Sequence, residues 1–350
     1  MTCNFIISVF CRYGIIIIVM IVLVTTSAGN QIIGGADIWV NNFLREVVPT
    51  LNEEVHLIVD NKKSVNHNNS SITIPHTFRI DNPKQTEEIL DRCSKIIFLH
   101  PPYSHREYLM EYQSKWDTVF IQAYAKDITE AGTDFKLYPT KIELGWQNLL
   151  LRKCKNRVWI GLNDSPLLKD FECTTIPNYY EFTENRDLVE ECTNVIGYAA
   201  RFESRKNPHW LSGHSAKVLT HKYDYYNISE MYDFKKCKFY EFDMNIHRNW
   251  FIDKSWQIFH SAYKNEPFGY SIFDAVNYGK LPILHKDWGV ECKYDYRVET
   301  KEDFDELVEE LIQTPYKKKL KEFNKLKAYL EGFGDKDKWI KSVGNIINNS

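Results

Sequence analysis

Two carboxylates flanking a turn carry the first chemical signal. Glu266-Pro267-Phe268-Gly269-Tyr270-Ser271-Ile272-Phe273-Asp274-Ala275 reads as an acid, a tight turn and a helix. Tyr278-Gly279-Lys280-Leu281-Pro282-Ile283-Leu284 closes it with a glycine stop and a short buried strand. Proline near the first turn and glycine past the last are ordinary helix punctuation. Ile272, Ala275, Val276 and Gly279 follow helical spacing, so one face packs. Glu266 and Asp274 lie outside that pattern, and both are expected to face the N-terminal end of the helix. Such an end offers N–H groups and a positive dipole end to an anion. Acids beside it suit the hydroxyls of a sugar or a ribose.

A second constellation lies upstream. Asn194-Val195-Ile196-Gly197-Tyr198-Ala199-Ala200 reads as a strand that runs into Arg201-Phe202-Glu203-Ser204-Arg205-Lys206-Asn207-Pro208. Arg201 can grip a phosphate through two N–H groups, and Lys206 adds a point charge. The plain alternative is an Arg/Lys pair in a surface loop. A third segment is Ser27-Ala28-Gly29-Asn30-Gln31-Ile32-Ile33-Gly34-Gly35-Ala36-Asp37. Gly34 and Gly35 between a strand and a helix let a ligand approach the backbone closely. Loops also use glycine without any ligand.

The arginine at a strand end with a lysine five residues later, followed by an acid-x7-acid segment, resembles the retaining GT-B glycosyltransferases. The motif order and separation also fit that family. Two positions depart from it: Asp274 stands where the family usually has Glu, and Ala200 where it usually has Gly. Within the family, the chain resembles the bacteriophage α-glucosyltransferases that modify hydroxymethylcytosine in DNA. That likeness is strongest over Asn194–Lys206 and Cys237–Gly289 and diffuse elsewhere. The resemblance implies an α/β fold of two Rossmann-like βαβ domains facing each other across a cleft. It implies a metal-independent reaction with a nucleotide sugar such as UDP-glucose as donor, and no permanently bound cofactor. It assigns the diphosphate to Arg201 and Lys206, the donor sugar to Glu266 and ribose hydroxyls to Asp274. Backbone N–H groups at Phe268-Gly269 would face the donor. Family members carry a histidine near the sugar after a middle strand. Here Val119-Phe120-Ile121-Gln122-Ala123-Tyr124-Ala125 has none, and His100 either takes the role or is a satisfied loop histidine.

Composition agrees with an ordinary two-domain protein. The chain has 350 residues, 43% hydrophobic and 26% charged. A net charge of −3 argues against a general polyanion binder and leaves local basic faces. Arg152, Lys153, Lys155 and Arg157 are the first choice for lining a DNA path, although each such run reads first as a solvated face. The eight cysteines are scattered, without metal-ligand spacing, and read as reduced thiols of a cytosolic protein. Ile15 to Val24 is an apolar run with two readings. We take it to contain the first buried parallel strand, Met20–Thr26, with residues 1–19 a dispensable extension. The alternative is a signal peptide or a membrane anchor over residues 4–25.

Strands alternating with helices predict a doubly wound parallel architecture. Residues 20–185 are expected to form an N-terminal acceptor domain and 186–350 a donor domain, with the polar stretch Asn178–Glu191 at the boundary. Helices are predicted over Ala36–Val48, Ser104–Lys115, Pro139–Cys154, Pro208–Leu219 and Asp253–Tyr263. Further helices are predicted over Glu302–Ile312, Tyr316–Leu330 and Lys336–Ile347. Leu320, Phe323, Leu326, Leu330 and Phe333 form a core stripe.

The expected activity is retaining transfer of a sugar, glucose first, to an acceptor, with hydroxymethylcytosine or its glycosylated form in double-stranded DNA leading. A surface polysaccharide or lipid-linked sugar is the second acceptor class. A non-catalytic nucleotide-sugar-binding module is the third reading. A cytoplasmic monomer is expected.

Overall fold

The computed structural model describes residues 10–11, 14–15, 20–26, 35–59, 77–79, 83–100, 106–124, 140–220, 232–264 and 266–348. The chain forms two compact units. One comprises Met1–Phe120, Leu150–Arg157 and Gly344–Ser350, and the other Ile121–Leu149 and Val158–Val343.

Seven strands form the first sheet: β1 (Met20–Thr25), β2 (Glu54–Val59), β3 (Thr77–Arg79), β4 (Lys95–His100), β5 (Trp116–Ile121), β6 (Asn156–Ile160) and β7 (Thr174–Ile176). Their order is β3-β2-β1-β4-β5-β6-β7. β1 pairs parallel with β2 on one side and β4 on the other. All six residues of β1 are buried, as an unbroken Met-Ile-Val-Leu-Val-Thr run in a central parallel strand requires. Helix α1 (Gly35–Asn42) follows it, then α2 (Pro83–Arg92), α3 (Arg106–Met110) and α4 (Thr140–Lys153). The predicted Ala36–Val48 helix is α1 continued by a π-turn at Phe43–Val47 and a 3-10 turn at Val48–Thr50. Pro49 cannot donate an N–H to an α-helical continuation.

The second sheet has β8 (Val195–Ala199), β9 (Ser215–Thr220), β10 (Cys237–Glu241), β11 (Ile258–Ser261), β12 (Leu281–His285) and β13 (Arg297–Val298). Its order is β10-β9-β8-β11-β12-β13, every neighbouring pair parallel. Strand order reverses between β8 and β11, where open parallel sheets create a binding crevice at their carboxyl ends. Helices α5 (Met244–Ile252), α6 (Tyr270–Asn277), α7 (Lys301–Gln313), α8 (Tyr316–Glu331) and α9 (Lys336–Asn348) complete this half. The α7 N-terminus carries a reciprocal capping box between Thr300 and Asp303. Phe323, Leu326 and Leu330 of the predicted stripe are buried, with Leu320 and Phe333 packed at its edge.

Two predicted helices are corrected. Pro208–Leu219 is a single 3-10 turn, Pro208–Leu211, followed by β9. Asp253–Tyr263 is a turn followed by β11, all four of whose residues are buried. α5 was not predicted. Gly279 ends α6 as expected, at φ +72°, where an added Cβ would lie 2.0 Å from the Asp187 carbonyl oxygen. Pro267 lies ahead of α6, outside its first turn.

Candidate functional site

The carboxyl end of β8 delivers Arg201, whose carbonyl accepts from the Tyr198 hydroxyl at 2.8 Å. The Arg201 side chain is exposed. A 3-10 turn, Ser204–Lys206, then turns the chain inward. Lys206 is only 9% exposed. Its Nζ donates to Glu266 Oε2 and sits 4.5 Å from the centre of the Tyr263 ring. Burial lowers the Lys206 pKa below its ordinary value, and the Glu266 charge opposes that shift. Arg205 bridges the same region, with Nε 2.9 Å from Glu203 Oε1 and a terminal nitrogen 3.5 Å from Glu266 Oε2. Burial acts to raise the Glu203 pKa, but Arg205, Lys206 and Arg201 together hold it below its usual value. Three cations therefore converge on one end of the sheet, with Glu203 and Glu266 among them.

The turn after Lys206 is fastened from below. Asn207 takes a left-handed conformation at φ +50°, and its amide donates to Ala262 O at 2.7 Å. His260 Nε2 donates to Asn207 O at 2.9 Å while Nδ1 accepts from the Ala262 N–H at 3.1 Å. Both bonds require the neutral Nε2–H tautomer. Burial enforces it, pushing the His260 pKa down to about 3.

The acid-bearing segment is built around an aromatic layer. Tyr263 stacks on Trp288 at 5.6 Å and 28°. Trp288 in turn covers Gly269, where an added Cβ would fall 2.2 Å from Trp288 Cζ2. Gly269 caps α6 at φ +62°, a conformation and a contact that both demand glycine. Phe268 is buried and stacks on Phe273 at 4.5 Å, so its ring belongs to the core. The Leu162 N–H donates to Pro267 O at 2.8 Å, which ties the loop after β6 to the acid-bearing turn.

Asp274, within α6, has partners of its own. Its Oδ1 accepts from the Tyr180 hydroxyl at 2.7 Å, and its Oδ2 is 3.3 Å from His247 Nε2. The Tyr180 hydroxyl accepts in turn from Asn277 Nδ2 at 3.3 Å. Burial first, then the Asp274 charge, raises the Tyr180 pKa well above its ordinary value. Asn277 Oδ1 accepts the N–H groups of Glu184 and Asn185 at 3.0 and 2.8 Å. The polar stretch expected as a boundary is thus strapped to α6.

The structure brings Lys206, Glu266 and Arg205 together and gives Asp274 its own partners. Tyr180, His247, Tyr263, Trp288 and His260 were missed from the sequence. The one available signal was the aromatic pair Tyr179-Tyr180 inside an otherwise polar segment. His100 ends β4 in the first unit, its Nδ1 2.5 Å from Thr26 Oγ1 and its carbonyl accepting the Thr26 N–H at 2.9 Å. Gly35 opens α1, and Gly34 lies outside the described residues. Arg152, Lys153 and Lys155 precede β6 and so sit at the amino end of that strand. Ligands that enter the crevice of such sheets bind at the opposite, carboxyl edge. Arg157 Nε is spent on Leu151 O, and Lys155 Nζ lies 3.4 Å from Asp117. Among the described residues no group of three or more His, Cys, Asp or Glu is arranged to hold a metal ion. Among them, too, no helix is long and apolar enough to cross a membrane.

No protein-family profile matches the chain, and no curated protein matches it by sequence. Solved structures do match its shape. Sucrose-phosphate synthase from Thermosynechococcus elongatus superposes with a TM-score of 0.68 at 10% identity, over 95% of this chain and 98% of that one. The lipopolysaccharide outer core galactosyltransferase WaaB superposes at 0.60 and 12% identity, over 94% and 99%. The DNA modifying enzyme β-glucosyltransferase, solved with and without uridine diphosphoglucose, superposes at 0.51 and 11% identity, over 94% and 99%. The chain has the GT-B glycosyltransferase fold, an α/β architecture of two parallel sheets with flanking helices.

Proposed function

We propose that this protein is a retaining glycosyltransferase that moves glucose from UDP-glucose to hydroxymethylcytosine, or its glycosylated form, in phage DNA. The observation that carries the donor half is the meeting of Lys206 and Glu266, from two motifs sixty residues apart, beside the carboxyl end of β8. In such a transfer the bond from the anomeric carbon to the diphosphate oxygen breaks, a bond to the acceptor oxygen forms with the same configuration, and the acceptor's hydroxyl proton passes to the departing diphosphate. Negative charge grows on the departing diphosphate, so fixed cations stabilise the transition state more than the bound donor. Arg201 and Lys206 fill that role, Glu266 accepts from sugar hydroxyls and Asp274 from ribose hydroxyls. Backbone N–H groups at the start of α6 add to the diphosphate site. By the resemblance, residues 186–350 serve the donor and 20–185 the acceptor, Gly34 and Gly35 belong to the nucleotide-sugar-binding loop, and His100 takes the role of the sugar-contacting histidine. No metal is required in this reading.

The DNA acceptor is supported by the motif resemblance over Asn194–Lys206 and Cys237–Gly289. A target base must leave the stack to present its hydroxymethyl group. The test is a transfer assay with labelled UDP-glucose against hydroxymethylated duplex DNA, unmodified DNA and surface polysaccharide or lipid-linked sugars. Label on hydroxymethylated DNA alone, with an α-linkage by NMR, supports the full reading. Label on a glycan retains the donor chemistry and replaces the acceptor. Binding of UDP-glucose without transfer to any of them leaves a nucleotide-sugar-binding module.

A further inference from the structure

Asp274 is a carboxylate with one oxygen committed and the other shared. The Tyr180 hydroxyl has a single proton, and Asn277 donates to its oxygen, so that proton goes to Asp274 Oδ1. Asp274 Oδ2 faces His247 Nε2 at 3.3 Å, and the two side chains are 19% and 21% exposed. His247 comes from α5, where its backbone N–H bonds to Asp243 O at 2.9 Å. Its ring is flanked by Phe251 at 4.8 Å and Phe242 at 6.1 Å, which hold it in place with the side chain still partly exposed. A hydroxyl acceptor and an imidazole nitrogen therefore stand side by side, about one hydrogen-bond length apart.

A vicinal diol presents two O–H groups, each a donor and an acceptor. A carboxylate with one oxygen spent on a tyrosine serves one hydroxyl well and leaves the second short of a partner. Aspartate is also one methylene shorter than the glutamate of the motif it resembles, so its reach is less. His247 supplies a second polar atom at the right spacing. We propose that His247 and Asp274 together form a vicinal-diol site for the ribose of the donor nucleotide, with His247 separating ribose from 2′-deoxyribose. The proposal rests on the nucleotide-sugar reading above.

The experiment is calorimetric titration of the full chain with UDP and 2′-deoxy-UDP, and with the GDP and ADP pairs in parallel. The wild-type protein is expected to bind the ribonucleotide about tenfold more tightly than its 2′-deoxy form, as a site built around a hydroxyl does. His247→Ala is expected to weaken the ribonucleotide about tenfold and the deoxy form by less than about twofold, the loss of one hydrogen bond. His247→Gln, which keeps a polar atom, should recover part of the discrimination. General damage to α5 would weaken both ligands alike, so equal weakening overturns the proposal, as does no weakening of either. If the wild-type chain binds none of UDP, GDP and ADP, the donor reading itself falls. If it binds one of them without regard to His247, only the present proposal falls.

Discussion

Lys206 Nζ and Glu266 Oε2 share a hydrogen bond across sixty residues of sequence, and Tyr263 lies 4.5 Å beneath the ammonium group. Arg201, five residues before Lys206, reaches the same end of the sheet but stays exposed. The two cations therefore differ in what they do for the fold.

Arg201→Ala should lower kcat by roughly two to three orders of magnitude, the usual cost of removing one donor to developing charge. Its thermal midpoint should match that of the wild type. Lys206→Ala should lose transfer and also about 1–3 kcal/mol of stability, because Glu266 keeps its burial and loses its main partner. Kinetics and thermal unfolding of both variants check this. An equal fall in midpoint for the two would contradict the difference in burial.

Gly269→Ala should destabilise the protein by about 1–3 kcal/mol, because a side chain is strained at φ +62° and its Cβ displaces Trp288. Urea unfolding followed by tryptophan emission reads both effects. A variant with wild-type midpoint and spectrum would show that the turn relaxes without cost.

Lys280 should make stability depend on pH. It is fully buried, with Nζ donating to the carbonyls of Asp253 and Trp256 and lying 4.1 Å from the Trp256 ring. Burial, the largest influence, lowers its pKa from 10.5 to about 7. The folded chain releases this proton near pH 7 while the unfolded chain holds it to about 10.5, so the unfolded state binds more protons in between. This group's contribution to stability therefore rises with pH from about 7, by at most about 1.4 kcal/mol per pH unit. Urea midpoints at pH 7 and 8.5 should diverge less in Lys280→Met than in the wild type. Equal divergence in the two would remove Lys280 as the source.

Replacing Arg152, Lys153 and Lys155 together by Ser should leave any DNA affinity and its salt slope within error, since these residues precede β6 at its amino end. Lost phosphate contacts would each flatten the slope by about one unit. Binding isotherms from low to moderate salt decide it. A flattened slope would place the DNA path at the amino edge of the sheet.

The local part of this protein was legible. Met20–Thr25 is apolar at every position but the last, as a doubly covered parallel strand requires, and the glycines that follow it favour a strand feeding a loop. The 3.6-residue stripe of α8 and the glycine past α6 follow from side-chain periodicity and from backbone sterics at positive φ, both properties of a few neighbouring residues. The motif spacing likewise put a lysine-bearing turn after one strand and an acid before one helix.

Other elements depended on what surrounds them. β11 was read as helix because Ile258–Ser261 is buried on both sides, and a strand of that kind has no alternation to distinguish it from a helical segment. The helix expected over Pro208–Leu219 fails because its apolar residues serve two elements, a 3-10 turn and β9. Tyr180 and His247 come from two separate parts of the chain and meet only at Asp274, while Asn277 of α6 itself donates to the Tyr180 hydroxyl. Their meeting is decided by the packing of α5 and the 180–189 strap against α6. Sequence spacing determines which residues share a turn or a face, because covalent geometry acts over a few residues. Which side chains from distant turns come within hydrogen-bonding distance is decided by the burial of whole elements, and that is a property of the folded chain alone.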